Sequence, residues 1–272
     1  MGGIFQNRLI HMNQKGTSKI REVGAIFMFK LMQGDCLELM KDIQDKSVDM
    51  ILCDLPYGIT ACKWDTIIPF EPLWEQYERI IKDNGAIVLT AAQPFTSALV
   101  MSNPKLFKYD WTWRKPRGTG HLNAKKQPLR DKEDILVFYK KQPTYNPQMS
   151  EGEPYTAMKG GKNTRVSNKG DTTYGKFMNG AEFRNDNSGF RYPKQVIEFG
   201  VVERGTLHPT QKPVALFEYL IKTYTNEGET VLDNCMGSGT TGVACKNLNR
   251  NFIGIELDEG YFKIAKERIG VE

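Results

Sequence analysis

Seven short apolar runs alternate with helical patterns along this chain, and that alternation limits what it can fold into more than any other feature. The runs are Ile26 to Met32, Val48 to Cys53, Ala86 to Thr90, Tyr109 to Arg114, Ile135 to Tyr139, Thr230 to Leu232 and Phe252 to Ile255. Each is too short for a helix and reads as a buried strand. Between them, Glu71 to Lys82 stacks Trp74, Tyr77, Ile80 and Ile81 on one helical face. Pro213 to Thr225 opens with proline at the first helical position and aligns Leu216, Phe217, Leu220, Ile221 and Tyr224. Asp258 to Ile269 aligns Tyr261, Phe262, Ile264 and Ala265. Strands that alternate with helices specify an α/β fold with a mostly parallel sheet. Ligands of such sheets bind beyond the carboxyl ends of the strands.

The 272 residues, 40% hydrophobic and 25% charged, are enough for one large α/β domain carrying an insertion. No apolar run approaches the roughly 20 residues that a bilayer demands, so no membrane span is expected. The N-terminus lacks the apolar core of a signal peptide, and Gln6 stands where a myristoylation signal wants Ser or Thr. Five cysteines without a Cys-x-x-Cys pair read as reduced thiols of a cytoplasmic protein, and no metal site is expected. Residues 1–27 are polar and unpatterned, which predicts a frayed arm. Two patterned stretches, 28–143 and 205–272, flank residues 144–204, which are rich in Gly, Asn, Ser, Thr and Tyr and show no period. About 60 residues of this kind inside a domain read as a functional insertion. Charge is uneven too: Lys105 to Lys141 holds 11 Lys and Arg against 4 Asp and Glu, whereas the whole chain is only +5.

Val231-Leu232-Asp233-Asn234-Cys235-Met236-Gly237-Ser238-Gly239-Thr240-Thr241-Gly242 leaves a strand, turns through glycines and enters a helix. Glu256 closes the next strand. Strand, Gly-x-Gly-x-x-Gly, helix and a following acid make a nucleotide-type cradle, the acid placed for ribose hydroxyls. A dinucleotide brings an anionic pyrophosphate to such a turn. Asp233 would oppose it. A carboxylate there suits S-adenosylmethionine, whose ammonium and sulfonium are positive, better than NAD; the bland alternative is an Asp that merely caps the loop.

Asp54-Leu55-Pro56-Tyr57 ends the strand that starts at Val48. These residue types suit transfer to an exocyclic amine, whose lone pair is delocalised into its ring. Asp54 and the Leu55 carbonyl can both accept hydrogen bonds from the amine, turning its lone pair towards the methyl, while Pro56 fixes the loop and Tyr57 stacks on the base. Catalysis is then positioning and electrostatics. The bland alternative is an ordinary proline turn after a strand.

With both motifs in place, the chain resembles the β group of DNA amino-methyltransferases, which methylate adenine N6 or cytosine N4. Asp54 to Tyr57 matches the catalytic Asp/Asn/Ser-Pro-Pro-Tyr motif, with Leu55 in place of its first proline. Asp233 to Thr240 matches the donor motif, with Asn234 and Cys235 departing from Pro and Phe. The order, catalytic motif first, is that of the β group. Gly34-Asp35-Cys36 resembles the element whose acid contacts the donor's adenine. His208 to Pro213 resembles the segment leading into the donor half, and Gly254-Ile255-Glu256 the ribose element.

The resemblance implies a seven-stranded, mostly parallel sheet with helices on both faces, a Rossmann-like methyltransferase fold. Its catalytic half is 28–143, its target-recognition insertion 144–204 and its donor half 205–272. The donor is S-adenosylmethionine, held by Asp35, His208, Lys212, Asp233, Gly237, Ser238, Gly239, Thr240 and Glu256, with Lys212 expected at the donor's carboxylate. The substrate is double-stranded DNA with the base flipped out, as the paired amine is otherwise inaccessible. The setting is the restriction-modification type, and a homodimer stays open. Asp54 as the first motif residue points to adenine N6 rather than cytosine N4.

Lys115, Arg117, Lys125, Lys126 and Arg130 interleave with Gly118, Gly120 and Asn123 in an expected loop that reads as a phosphate-contacting surface. Trp64 and Asp65 follow the catalytic loop and are placed to cover the flipped base; the alternative for Trp64 is simply to pack the loop. Rival readings are cytosine N4 methylation, methylation of RNA or of a glutamine amide, a non-catalytic DNA-binding protein of the same fold, and an NAD-dependent oxidoreductase.

Overall fold

The computed structural model of the chain describes residues 11–12, 17–22, 25–58, 62, 65–156, 186–187, 189–202 and 205–271. It opens with β1 (His11–Met12), β2 (Thr17–Glu22) and β3 (Ala25–Gln33), then a single helical turn, α1 (Cys36–Leu39). β4 (Val48–Asp54), α2 (Phe70–Ile80), β5 (Ile81–Ala91) and α3 (Phe95–Ser102) follow, and then the long hairpin of β6 (Phe107–Thr119) and β7 (Arg130–Phe138). Four two-residue strands come next: β8 (Ser150–Glu151), β9 (Tyr155–Thr156), β10 (Asp186–Asn187) and β11 (Phe190–Arg191). The remaining elements are β12 (Val196–Glu198), α4 (Val214–Tyr224), β13 (Thr230–Asp233), α5 (Thr240–Asn247), β14 (Asn251–Glu256) and α6 (Glu259–Ile269).

Ten strands form one sheet in the order β1-β2-β3-β14-β13-β4-β5-β7-β6-β12. The seven apolar runs supply its centre, β3 to β6. Strands β3, β14, β13, β4 and β5 are mutually parallel, and β7 runs antiparallel to both of its neighbours. The sheet is wider than the expected seven strands because short pieces pair along both edges. On one edge, β2 lies antiparallel to β3 inside the expected arm; on the other, β12 lies parallel to β6 inside the expected insertion. Edge pairing needs only backbone donors and acceptors, so no apolar pattern announces it.

Side chains alternate across the sheet as strand geometry demands. Met50 and Leu52 of β4 pack with Leu216, Phe217 and Leu220 of α4 and Ile269 of α6. Ile51 and Cys53 pack on the opposite face with Leu73, Trp74, Tyr77 and Ile80 of α2 and Leu99 of α3. Both faces are thus covered, which is why these strands read as continuous apolar runs. Helix ends follow local chemistry. Asp258 caps α6 through Tyr261 N–H at 2.9 Å, and Gly270 ends it at φ 73°. Pro213 is the N-cap of α4, one residue before the expected place.

The chain divides into two compact units, Met1–Asn146 with Lys194–Glu272, and Pro147–Pro193. The second contains two short antiparallel ladders, β8 with β11 and β9 with β10, and a bond from Gly152 N–H to the Gly189 carbonyl at 2.7 Å. Much of the expected target-recognition insertion (157–185) lies outside the described residues, as does Trp64. Among the described residues, no helix is long and apolar enough to cross a membrane.

Candidate active site

Asp54 and Asp233 are the last residues of β4 and β13, two neighbouring parallel strands, so the sheet delivers both carboxylates to the same edge. A cavity of about 680 Å³ lies there, lined by Asp54 to Tyr57 and by Asp233 to Ser238, Thr240 and Thr241. The two motifs therefore share one cavity. Asp35, His208, Lys212 and Glu256 line it as well.

On the β4 side the cavity is a charge network. Lys212 Nζ lies 2.6 Å from Asp54 Oδ2, and Tyr57 Oη donates to Asp54 Oδ1 at 2.7 Å. The Thr90 hydroxyl donates to the same Oδ1. A carboxylate offers about four acceptor sites. Three are filled, and with the side chain 21% exposed, acceptor capacity remains on the cavity side. The Tyr57 ring stacks on Phe95 at 5.1 Å and 24°. Burial, then the charge of Asp54, raises its phenol well above the usual range, so it stays a neutral donor. The Leu55 side chain is buried in the core under α2 and α3, so packing holds the loop where the motif's proline is missing. Asp65 accepts Gly58 N–H at 2.8 Å, which closes the loop, and it lines the cavity.

Lys212, expected at the donor's carboxylate, directs its ammonium instead to Asp54 and to Glu133, 3.4 Å away. Burial lowers its pKa, but the two carboxylates outweigh burial and hold it above the ordinary lysine value. Lys115 also departs from expectation. The strand β6 runs on through Thr119, so Trp113 and Lys115 share a face. The ammonium of Lys115 pairs with Glu133 and lies 5.0 Å over the Trp113 ring. It lines the cavity and is only partly exposed, whereas Arg117, Lys125, Lys126 and Arg130 are exposed, Arg130 at the cavity's rim.

Glu133 and Thr90 are site residues that the sequence reading missed. Glu133 Oε2 is the one buried side-chain oxygen without a hydrogen bond among the described residues, although it is within ion-pair reach of Lys212. One signal was present: Glu133-Asp134 is an acidic doublet at the entry to an apolar strand, within the chain's most basic stretch.

On the β13 side, neutral donors replace cations. Asp233 accepts Cys235 N–H at 3.1 Å and the Thr241 hydroxyl. Burial pushes its carboxyl up to about 7 against the lowering effect of these bonds. Glu256 accepts Gly237 N–H at 2.8 Å and Asp258 N–H at 2.9 Å, and burial raises its pKa also. Asp35 caps α1 through Leu37 N–H at 2.8 Å. The His208 ring packs on Tyr261 at 4.2 Å, and burial holds its imidazole below its usual value. Gly237, at φ 51°, borders the cavity beside the His208 ring. Gly239 does not line it: a Cβ there would meet Ala265 and Ile269, so this glycine serves the packing of α5 on α6. The thiols of Cys36 and Cys235 line the cavity, and their mutual hydrogen bond together with burial keeps Cys36 protonated. Among the described residues no Lys or Arg forms an ion pair with Asp35, Asp233 or Glu256. The Arg268 guanidinium reaches the turn, donating to the Ser238 carbonyl at 3.1 Å and to the Ser238 and Thr240 hydroxyls at 3.0 Å, but it pairs with none of these three acids. Carboxylates without cationic partners around a glycine turn fit a positively charged ligand without phosphates.

Residues 48–267 match the family model described as DNA methylase, of the N6/N4 methyltransferase type. The chain is 29% identical over 262 residues to the type II methyltransferase M.HpaI of Haemophilus parainfluenzae, covering 89% of this chain and 74% of that one. It is 30% identical over 259 residues to the type II methyltransferase M1.MboII of Moraxella bovis, covering 87% and 94%. Among solved structures, the M1.HpyAVI–SAM complex aligns with a TM-score of 0.59 and 27% identity over 89% of this chain and all (100%) of that one. The cytosine-N4-specific PvuII DNA methyltransferase shares the fold, with a TM-score of 0.63 at 15% identity over 88% of this chain and 86% of that one. With the family match running across both halves of the cavity, the chain belongs to the N6/N4 DNA methylases.

Proposed function

We propose that this DNA methyltransferase acts on adenine N6 in double-stranded DNA. The observation that carries the reading is Asp54: an aspartate opens the catalytic tetrapeptide, and its carboxylate meets the cavity shared with the donor turn. S-adenosylmethionine supplies an electrophilic methyl group on a cationic sulfur. Asp35, Asp233, His208, Glu256, Gly237, Ser238 and Thr240 are the residues we assign to holding it, in the acidic cradle described above.

Asp54 and the Leu55 carbonyl accept the two N–H groups of the target amine, which turns its lone pair out of the ring plane. Lys212 and Thr90 fix the Asp54 carboxylate so that no reorientation is needed during transfer. The proton that the amine must release passes to Asp54, the acceptor nearest to it. The Tyr57 ring, backed by the buried Phe95, forms an aromatic wall for the base. Lys125, Lys126, Arg117 and Arg130 supply the exposed positive surface for phosphates.

Mass spectrometry of nucleosides from DNA treated with the protein and labelled donor tests the reading. N6-methyladenine is expected; N4-methylcytosine alone would replace adenine with cytosine while leaving the reaction class intact. Sequencing of the methylated DNA gives the recognition site.

A further inference from the structure

The tip of the β6–β7 hairpin carries an apolar side chain for which the fold provides no cover. Leu122 is 101% exposed, the most exposed large hydrophobic side chain among the described residues. It sits on a 3₁₀ turn, His121–Asn123, held by Asn123 N–H to the Gly120 carbonyl at 2.9 Å and Ala124 N–H to the His121 carbonyl at 3.1 Å. Lys126 N–H and Gln127 N–H both bond the Asn123 carbonyl, at 2.8 and 3.0 Å. The leucine therefore stands on a hydrogen-bonded pedestal.

Two further observations say what meets it. The tip is cationic, with Lys125, Lys126 and Arg130 exposed beside the leucine, which favours a polyanion over an apolar protein groove. The hairpin is also continuous with the cavity. Thr119 and Arg130 are cross-strand partners at the base of the tip, and both line the cavity. Leu122 is three residues beyond Thr119. An apolar side chain flanked by phosphate-binding cations, at the mouth of a pocket built for one base, has the composition of a wedge that enters a base stack.

We propose that Leu122 is the duplex wedge of this enzyme, filling the gap in the stack left by the nucleotide extruded into the cavity. The inference rests on the methylation of duplex DNA proposed above. Filling the gap stabilises the extruded state, so the wedge matters most where extrusion is most costly, at a target base that is both stacked and fully paired.

The test compares single-turnover methyl transfer on two synthetic duplexes carrying the mapped recognition site. One is intact; the other has an abasic position opposite the target, so that extrusion breaks no base pair. Leu122→Ala is expected to slow transfer about tenfold or more on the intact duplex and to stay within about twofold of the unaltered protein on the abasic one. Leu122→Met, equally apolar and long, is expected to match the unaltered protein on both. Equal slowing of Leu122→Ala on the two duplexes, or no slowing on the intact one, overturns the wedge. So does a change of oligomeric state in sedimentation, which would assign the tip to a second copy of the chain. If the unaltered protein transfers no methyl to either duplex, the underlying reading falls and the wedge with it.

Discussion

Asp54 and Asp233 are the same residue type at the same place in the fold, yet the chain surrounds them in opposite ways. Both end parallel strands that lie side by side, and both face one cavity. Asp54 is met by a buried ammonium and two hydroxyls. Asp233 is met by a hydroxyl and a backbone N–H, with no cation, and its carboxyl is pushed up to about 7. The difference separates two tasks. On the function proposed above, the carboxylate that must hold its orientation while bonds change is paired in advance. One that waits for a cationic ligand is left short of positive charge, so that the ligand itself supplies it.

The strongest way to break this division is Asp54→Ala. Turnover is expected to fall roughly a thousandfold or more, while calorimetry still detects donor binding; normal turnover in the variant would sink the mechanism. Next comes Lys212→Met, which leaves Asp54 and Glu133 facing each other without their shared cation. A loss of about 3–5 kcal/mol in chemical denaturation is expected, since removing one partner strands buried charge. A variant as stable as the parent would mean that the ion pair is not holding the pocket.

Asp233→Asn sharpens the other half. In the parent, the raised carboxyl of Asp233 retains a proton that the unfolded chain has released. Without ligand, its contribution to stability is therefore full below about pH 4 and is lost as pH rises through about 7. Donor affinity should run the opposite way, strengthening by up to about tenfold per unit as pH rises towards 7. Asn should flatten both curves, and a persistent slope in calorimetric titrations would place the titration elsewhere. The smallest expected effect is that of Thr241→Val, which removes one hydroxyl donor from Asp233. About 1–2 kcal/mol of stability should be lost. The midpoint of the affinity curve should move to higher pH, because that bond favours the charged form.

The fold was largely legible because its signals are local. All seven apolar runs became strands, and the helices over Glu71 to Lys82 and Pro213 to Thr225 formed within two residues of their expected ends. Helix α3 was missed: its eight residues, Phe95–Ser102, are too few to display a period. Asp54, Asp233 and Glu256 were legible as strand ends before turns, and Tyr57 as part of the turn after the first of them. Their partners were not. Thr90 is 36 residues from Asp54 in sequence and Lys212 is 158, and only the neighbour relations of β4, β5 and β13 bring such residues together. Lys115 was misread for a related reason. A charge count treats every cation as surface, whereas strand periodicity turned this one inward onto Glu133. Gly239 shows the converse, a glycine of the expected cradle whose missing side chain makes room for a helix.

The reversed direction of β7 has an architectural consequence. A parallel strand presents its final residues to the reactive edge, but a strand running backwards presents its first ones. Glu133 therefore arrives at the same edge as Asp54 and Asp233, and so does the turn that joins β6 to β7. That turn can gain or lose residues in pairs without shifting the register of any strand beneath it. Reach towards a nucleic acid and the geometry of the chemistry are thus independently adjustable in this molecule.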